Sequence, residues 1–330
     1  MGRGLLSLFL SPSSVFSLYS LFAALCLAIG WELVAHGRRD VKLSVLWRGF
    51  FPRRLTRSAS TRADLFFVLL NVALAGSAIG LAVLSSKYIG AAVDRGLISA
   101  FGRPQATGLP DWAARALATL VLFLAYELAY WTDHWASHRV PILWAFHRVH
   151  HTAEVLSPIT NFRVHPVDSI VFGNFLAVFT GVALGVLQFA LGASHPPFNV
   201  GSVNFLILAF TYFTVHLQHS HFWIPVTGPL GRLLMSPAHH QLHHSDDPAH
   251  HNSNFGSCLS LWDWMFGTLV MPERKRQRLT FGAGPALAGN HTVWGVIGPP
   301  FAAAWRTLRA SPATEPAVVP GEKPSPVSAS

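Results

Sequence analysis

The chain has 330 residues, 51% hydrophobic and 12% charged, with a formal net charge of +9. A soluble globular domain carries about 25% charged residues, so this composition excludes an ordinary soluble domain and points to a membrane protein. The basic excess sits in loops flanking apolar runs, as membrane topology is written, and not on a nucleic-acid face. The two cysteines, Cys26 and Cys258, exclude a disulfide framework and a thiolate-rich metal knuckle.

Residues 1–16 form a short leader with Arg3 and an SPSS break, read as the uncleaved start of a first span over about Val15 to Ala35. A basic loop follows, from Arg38 to Arg62, with Trp47, Phe50 and Phe51 suited to the headgroup region. A second span is expected from Ala63 to Ser85, and residues 86–112 read as a loop on the opposite side. A third span, Trp112 to Trp131, contains Glu127, seven residues and two helical turns before His134. That carboxylate either orients a histidine or sits at the membrane interface. Apolar stretches over Ser169 to Leu191 and Val200 to Val215 form a hairpin that leaves and returns. The histidines on either side of it therefore share one face, the cytoplasmic one by the distribution of basic residues. Ser260 to Val270 reads as an aromatic interfacial segment, Glu273 to Arg278 as a basic surface run, and Phe301 to Leu308 as an amphipathic turn or two. From Ser311 the chain is Pro-, Ala- and Ser-rich and expected to be disordered.

The chemistry lies in the histidines. His134 and His138 stand four apart, and His147, His150 and His151 follow after a short apolar connection. The second spacing returns at His240, His243 and His244, with His216, His219 and His221 in between. Positions i, i+3 and i+4 share a helix face, so His134 can point with His138, and His147 with His150 and His151. One helical histidine pair is more often a satisfied core or surface pair. Repeated HxxHH boxes at the ends of apolar segments are not explained by packing, because polar groups are costly there. Imidazole suits iron, zinc, copper and nickel alike. Structural zinc takes four ligands and catalytic zinc about three plus water, so eight box histidines point to two metals.

HxxxH followed by two HxxHH boxes, in YWTDHWASHRVPILWAFHRVHHT, NFRVHP, LQHSHFWIP, SPAHHQLHHS and HNSNFGSCLSLWDWMFGTL, resembles the fatty acid hydroxylase/sterol desaturase superfamily of membrane di-iron enzymes. The resemblance covers about residues 110–272. It implies two non-haem iron ions held by His134, His138, His147, His150, His151, His219, His240, His243 and His244. It also implies O2 as cosubstrate, and hydroxylation or desaturation of a lipid: a fatty acyl chain, a sterol-like polycycle or a related molecule. His165, in RVHP, matches a recurrent motif as a ligand, a supporting donor or a helix-start residue. His216 and His221 fall where members vary. His250 or His251 and Asn254 match a downstream segment with a supporting role, and Asp133, Asp168 and Asp263 are positioned to orient ligand histidines. No GxGxxG fingerprint and no cysteine set for an iron–sulfur cluster is present. Electrons are therefore expected from a separate reductase or a ferredoxin- or cytochrome-type donor.

The expected fold is all-α: a polytopic membrane protein with about four to five membrane-embedded helices and a histidine-rich helical cap on the cytoplasmic face. Residues 1–109 form an N-terminal membrane region of two spans and a basic loop, 110–272 the hydroxylase-like catalytic domain, and 273–330 a surface segment and tail. The alternative class is a histidine-rich membrane metal transporter or a metal-binding protein without redox catalysis. Transporters place polar ligands near the midplane, whereas these histidines cluster at span ends. A haem protein leaves both HxxHH boxes unexplained, and a zinc hydrolase lacks HExxH.

Overall fold

The computed structural model describes residues 9–14, 17–36, 55, 57–74, 84–283 and 291–309. Most of the basic loop, residues 75–83 of the second expected span and the Pro-rich tail lie outside the described residues. The chain is predominantly helical. Among the described residues the named α-helices are α1 (Leu18–His36), α2 (Ala59–Leu74), α3 (Ser86–Phe101), α4 (Asp111–Arg139), α5 (Pro141–His151), α6 (Pro166–Leu191), α7 (Phe205–Gln218), α8 (Gly228–Leu233), α9 (Pro237–His243), α10 (Leu261–Phe266) and α11 (Val293–Arg309). Two-residue strands Asn199–Val200 and Val203–Asn204 pair antiparallel just before α7.

Among the described residues, α4 and α6 are long and apolar enough to cross a membrane. At 1.5 Å per residue they reach about 44 and 39 Å, against an apolar bilayer core of about 30 Å. Ala114 and Ala118, early in α4, pack on Leu187 and Leu191, late in α6. Tyr130, late in α4, meets Phe172, early in α6. The two helices are therefore antiparallel, and the C-terminus of α4 and the N-terminus of α6 lie at one end. α3 packs closely along α6: Gly90 faces Gly181 and Gly185, and a Cβ on Gly181 would lie 2.7 Å from Cβ of Ile89.

Local sequence sets the breaks that shape the histidine end. The pyrrolidine of Pro141 disfavours the helical region for Val140, which is extended (φ −96°, ψ 112°). Pro141 then opens α5, where its missing N–H is harmless. One residue thus ends a 29-residue helix and folds the next one back over its last turn. α9 starts with a reciprocal cap: Ser236 Oγ accepts from the His239 N–H, and the Ser236 N–H donates to His239 Nδ1.

Four expectations change. Residues 86–101 are helical and not a loop; Gly90, one of the glycines behind the loop reading, allows the close approach to α6. The apolar run ending at Val215 is not a full span. Its helix covers residues 205–218, about 21 Å, and contains a π-helical turn at Thr211–Val215. Hence the chain returns to the histidine end through a short helix. The C-terminal amphipathic segment is a 17-residue helix, α11, because its second face packs on α5, a contact that the local sequence does not reveal. The two short strands are a minor exception to the all-α expectation.

Candidate metal centre

Nine buried or half-buried histidines converge where α4 and α6 end, in two adjoining groups. One contains His134, His138, His147, His151 and His243; the other contains His150, His219, His240 and His244. Within each group the ring nitrogens nearest one another all lie within 4.8 Å. The structure brings together the eight box histidines and His219, but the partition is not the one helical periodicity suggests. α5 sends His147 and His151, one turn apart, to the first group and His150 to the second. α9 does the reverse: His240 and His244 go to the second group and His243 to the first. The groups touch through the stacked rings of His151 and His244, with centroids 4.5 Å apart.

Hydrogen bonds on the far side of three rings fix their orientation. His134 Nδ1–H donates to the Phe255 carbonyl (2.8 Å) and His243 Nδ1–H to the Ser253 carbonyl (2.7 Å). A carbonyl only accepts, so each Nδ1 carries the proton and each Nε2 presents its lone pair to the group. His147 Nδ1 lies 3.1 Å from Asp168 Oδ2, with the same consequence. The two carbonyls come from alternate residues of one segment. Asn252 and Asn254 hold it with left-handed φ values of 55° and 56°, a conformation that asparagine tolerates. The Asn254 amide donates to the His239 and Val270 carbonyls and accepts from the Val270 N–H.

Two buried carboxylates anchor the same segment. Asp263 accepts from the Phe255 and Gly256 N–H groups, Trp131 Nε1 and Thr268 Oγ1. Its carboxyl is pushed up to about 6, chiefly by burial, against the lowering of these donors. Glu127 accepts from the Cys258 and Leu259 N–H groups, so its target is this loop and not a histidine. Two turns on a helix face gave proximity along α4, but the loop lies closer.

Other expected residues stand outside both groups. His165 caps α6, its Nδ1 accepting from the Val167 N–H and its Nε2 donating to the Ile297 carbonyl; it is the helix-start residue. His216 bonds Ser20 of α1. His221 packs on Phe222. His251 belongs to neither group but lines the cavity over them. Asp133 is buried with Oδ1 unpartnered and bonds no histidine, whereas Asp168 does. The Ser253 and Phe255 carbonyls were not expected, because backbone acceptors leave no residue-type signal. Their one trace is the Asn-rich NSNFG stretch.

The donor set fits cations. His219 Nε2 lies 3.0, 3.1 and 3.0 Å from Nε2 of His150, His244 and His240, and His244 lies 3.2 Å from His240. One ring nitrogen has either one proton or one lone pair and cannot satisfy three such neighbours. Nitrogens about 2.0–2.1 Å from a shared metal are separated by about 3.0–3.4 Å. In the five-histidine group, the Nε2 atoms of His134, His147 and His243 are buried with no partner, which would be costly unless a cation satisfies them. Burial, and then the neighbouring histidines, hold His150, His151, His240 and His244 well below the free value of 6.5, while His219 and His243 fall to about 3. The rings are therefore neutral near pH 7, the form that ligates.

The same neutrality sets a pH dependence. Below 6.5 the unfolded chain binds protons that the fold excludes, so this contribution to stability is complete above about pH 6.5 and is lost progressively toward pH 3. Chelator-treated protein in detergent should melt at a lower temperature at about pH 5.5 than at about pH 7.5. An unchanged or higher melting temperature at the acid pH would contradict neutral buried imidazoles.

A cavity of about 110 Å³ opens onto both groups, walled by His138, His151, His243, His244 and Trp144 and rimmed by Ser245, Asp246, His251 and Asn252. A larger apolar cavity of about 610 Å³ lies between α1 and α7, lined by residues such as Cys26, Gly30, Phe213, Leu217 and Pro237.

The fold and site together define a helical protein with paired histidine clusters at the end of apolar, membrane-length helices. Residues 119–268, a little under half of the chain, match the fatty acid hydroxylase family model, in keeping with the resemblance carried by the histidine boxes. It is 30% identical to alkylglycerol monooxygenase of Xenopus tropicalis, over 47% of this chain and 30% of that protein. It is 30% identical to ornithine lipid hydroxylase OlsE of Rhizobium tropici, over 50% and 45%, and 27% identical to very-long-chain aldehyde decarbonylase GL1-1 of Oryza sativa subsp. japonica, over 54% and 28%. The chain thus spans less than half the length of each of these relatives. No solved structure matches it.

Proposed function

We propose that this protein is an integral-membrane, non-haem di-iron oxygenase that uses O2 to hydroxylate or desaturate a lipid. The observation that carries the reading is the pair of adjoining all-imidazole groups, of five and four histidines, at the end of two membrane-length helices. In the proposal one iron is held by His134, His138, His147, His151 and His243, and the other by His150, His219, His240 and His244. Bound there, iron supplies activation of dioxygen and removal of hydrogen from an unactivated carbon. Asp168 and the Ser253 and Phe255 carbonyls keep the proton of His147, His243 and His134 on Nδ1. Those bonds fix which nitrogen faces the centre and prevent ring rotation. Trp144 lies with its ring centroid 5.0 Å from that of His138 and forms an apolar wall of the small cavity.

Hydroxylation consumes one O2, two electrons and two protons per lipid C–H and releases one water. The electrons come from a separate reductase or a ferredoxin- or cytochrome-type donor. The relatives named as a monooxygenase and a lipid hydroxylase support a lipid substrate, as does the apolar cavity beside Leu217 and Pro237, which approach the ligand residues His219 and His240. The proposed topology embeds four to five helices. It puts the histidine cap on the cytoplasmic face, where Arg139 and the basic run Arg274 to Arg278 are exposed.

The test is metal analysis of detergent-purified protein, followed by reduction and exposure to isotopically labelled O2 with lipid extracts. About two irons per chain and labelled oxygen in a lipid product support hydroxylation. Labelled water with a new double bond supports desaturation. Retained iron pairs without O2 consumption under any lipid and donor would overturn the oxygenase reading and favour metal storage or transport.

A further inference from the structure

α11 lies outside the family-matched segment and presents three distinct strips. The first is packed: Val296 and Ala304 are buried, with Ile297 and Ala303 beside them, against Phe67 and Val149 and against Ala145 and Phe146 of α5. The second is apolar and open. Trp294, Phe301, Trp305 and Leu308 recur at helical spacing and are 82%, 52%, 54% and 63% exposed. The third is polar and adjoins it: Ala302, Arg306 and Arg309, all exposed. The Arg309 guanidinium lies 4.5 Å over the Trp305 ring, so the second and third strips meet in a cation–π contact.

The depth of this helix is fixed by its neighbours. Ala303 and Ala304 share a cluster with Ile142, in the first turn of α5, and Val167, in the first turn of α6. α5 begins two residues after α4 ends. α11 therefore lies at the level where both membrane-length helices stop. Four large apolar side chains in one exposed strip are disfavoured in water. Tryptophan is enriched at the bilayer interface, and arginine beside an apolar strip suits anionic headgroups. Arg139, Arg148 and Arg274 to Arg278 are at the same end, so the local field favours an anionic surface.

We propose that α11 is an interfacial anchor: the Trp294, Phe301, Trp305 and Leu308 strip is seated in the headgroup region of an anionic leaflet, with Arg306 and Arg309 at the phosphates. Because its inner strip packs on α5, the anchor fixes the helix that carries His147, His150 and His151 to the membrane surface. An acidic protein partner would use the arginines but has no need of the apolar strip.

The test uses full-length protein in nanodiscs with Cys26→Ser as background, Cys258 being buried. Nitroxide labels are attached at Trp305→Cys, at Leu308→Cys and, on the polar strip, at Ala302→Cys. Labels at 305 and 308 should be relaxed by oxygen and shielded from a water-soluble nickel chelate; the label at 302 should show the reverse. In discs containing phosphatidylglycerol, adding Arg306→Glu and Arg309→Glu should raise the nickel-accessible fraction at 305, by about fivefold for each charge lost. In phosphatidylcholine discs it should change little. Nickel access at 305 and 308 equal to that at 302 would overturn the anchor. So would labels shielded from both oxygen and nickel, the signature of a protein-covered face. An equal effect of the glutamates in both lipids would overturn the anionic component. Each variant is first checked for a monodisperse profile and wild-type metal content, and two apolar-strip positions guard against local failure at one.

Discussion

Alanine at His240 is expected to empty the four-histidine group and leave the five-histidine group loaded, and alanine at His243 is expected to do the opposite. The two residues are one turn apart on α9, and a scheme in which HxxHH shares a single face predicts the same loss for both. The structure separates them: His240 Nε2 sits 3.0 Å from His219, whereas His243 is braced from behind by the Ser253 carbonyl. Metal content should fall from about two per chain to about one in each variant, and to near zero in the double variant. Activity should fall in both by at least the roughly 10–100-fold that loss of a ligand-orienting partner costs. The spectroscopic signature of the surviving metal should differ between them, one in a five-nitrogen and one in a four-nitrogen environment. Identical spectra, or full retention of metal in either variant, would refute the partition.

The second large effect is structural. Arg163 is fully buried and pairs with Asp64 of α2 at 2.9 Å. It also donates to the Val149 carbonyl, the Ser60 carbonyl and Thr152 Oγ1. A buried arginine of this kind ties the end of α5 to α2, outside the family-matched segment. Arg163→Met leaves Asp64 buried without its cation, which should cost about 3–5 kcal/mol. Arg163→Met with Asp64→Leu removes the stranded charge and should recover most of that loss. Thermal melts in detergent decide this: a double variant as unstable as Arg163→Met would mean that the hydrogen bonds, and not the ion pair, dominate. Metal content should fall in the single variant because α5 carries three of the nine histidines.

The sequence carried which histidines gather because most of them are side chains in a short-range pattern: His134 with His138, and the two HxxHH boxes. It also carried the return of the chain to the histidine end, but not the length of the returning helix, which covers only residues 205–218. It could not carry the division of each box between two groups. That division depends on how α5 and α9 meet across the centre, and His150 and His243 look locally like their neighbours. Glu127 shows the same limit. Its spacing from His134 is correct for one helix face, yet it binds the N–H groups of Cys258 and Leu259, more than 130 residues later. The helical state of Ser86–Phe101 and the length of α11 were likewise hidden, because each is stabilised by an inner strip packed on a distant helix.

The reciprocal sharing of the boxes has a geometric consequence. In α5 the boundary between the groups falls between His150 and His151, and at the end of α9 between His243 and its C-cap, His244. The offset between the two halves of the centre is thus set by neighbouring residues on a rigid rod, and it is set twice, by rods from opposite ends of the domain. The centre carries its own ruler, graduated in single helical residues and read independently from both sides. A sliding motion of either helix changes both halves at once. In the proposed oxygenase, a change of substrate would therefore be met by the walls around the centre, while the spacing within it stays constant.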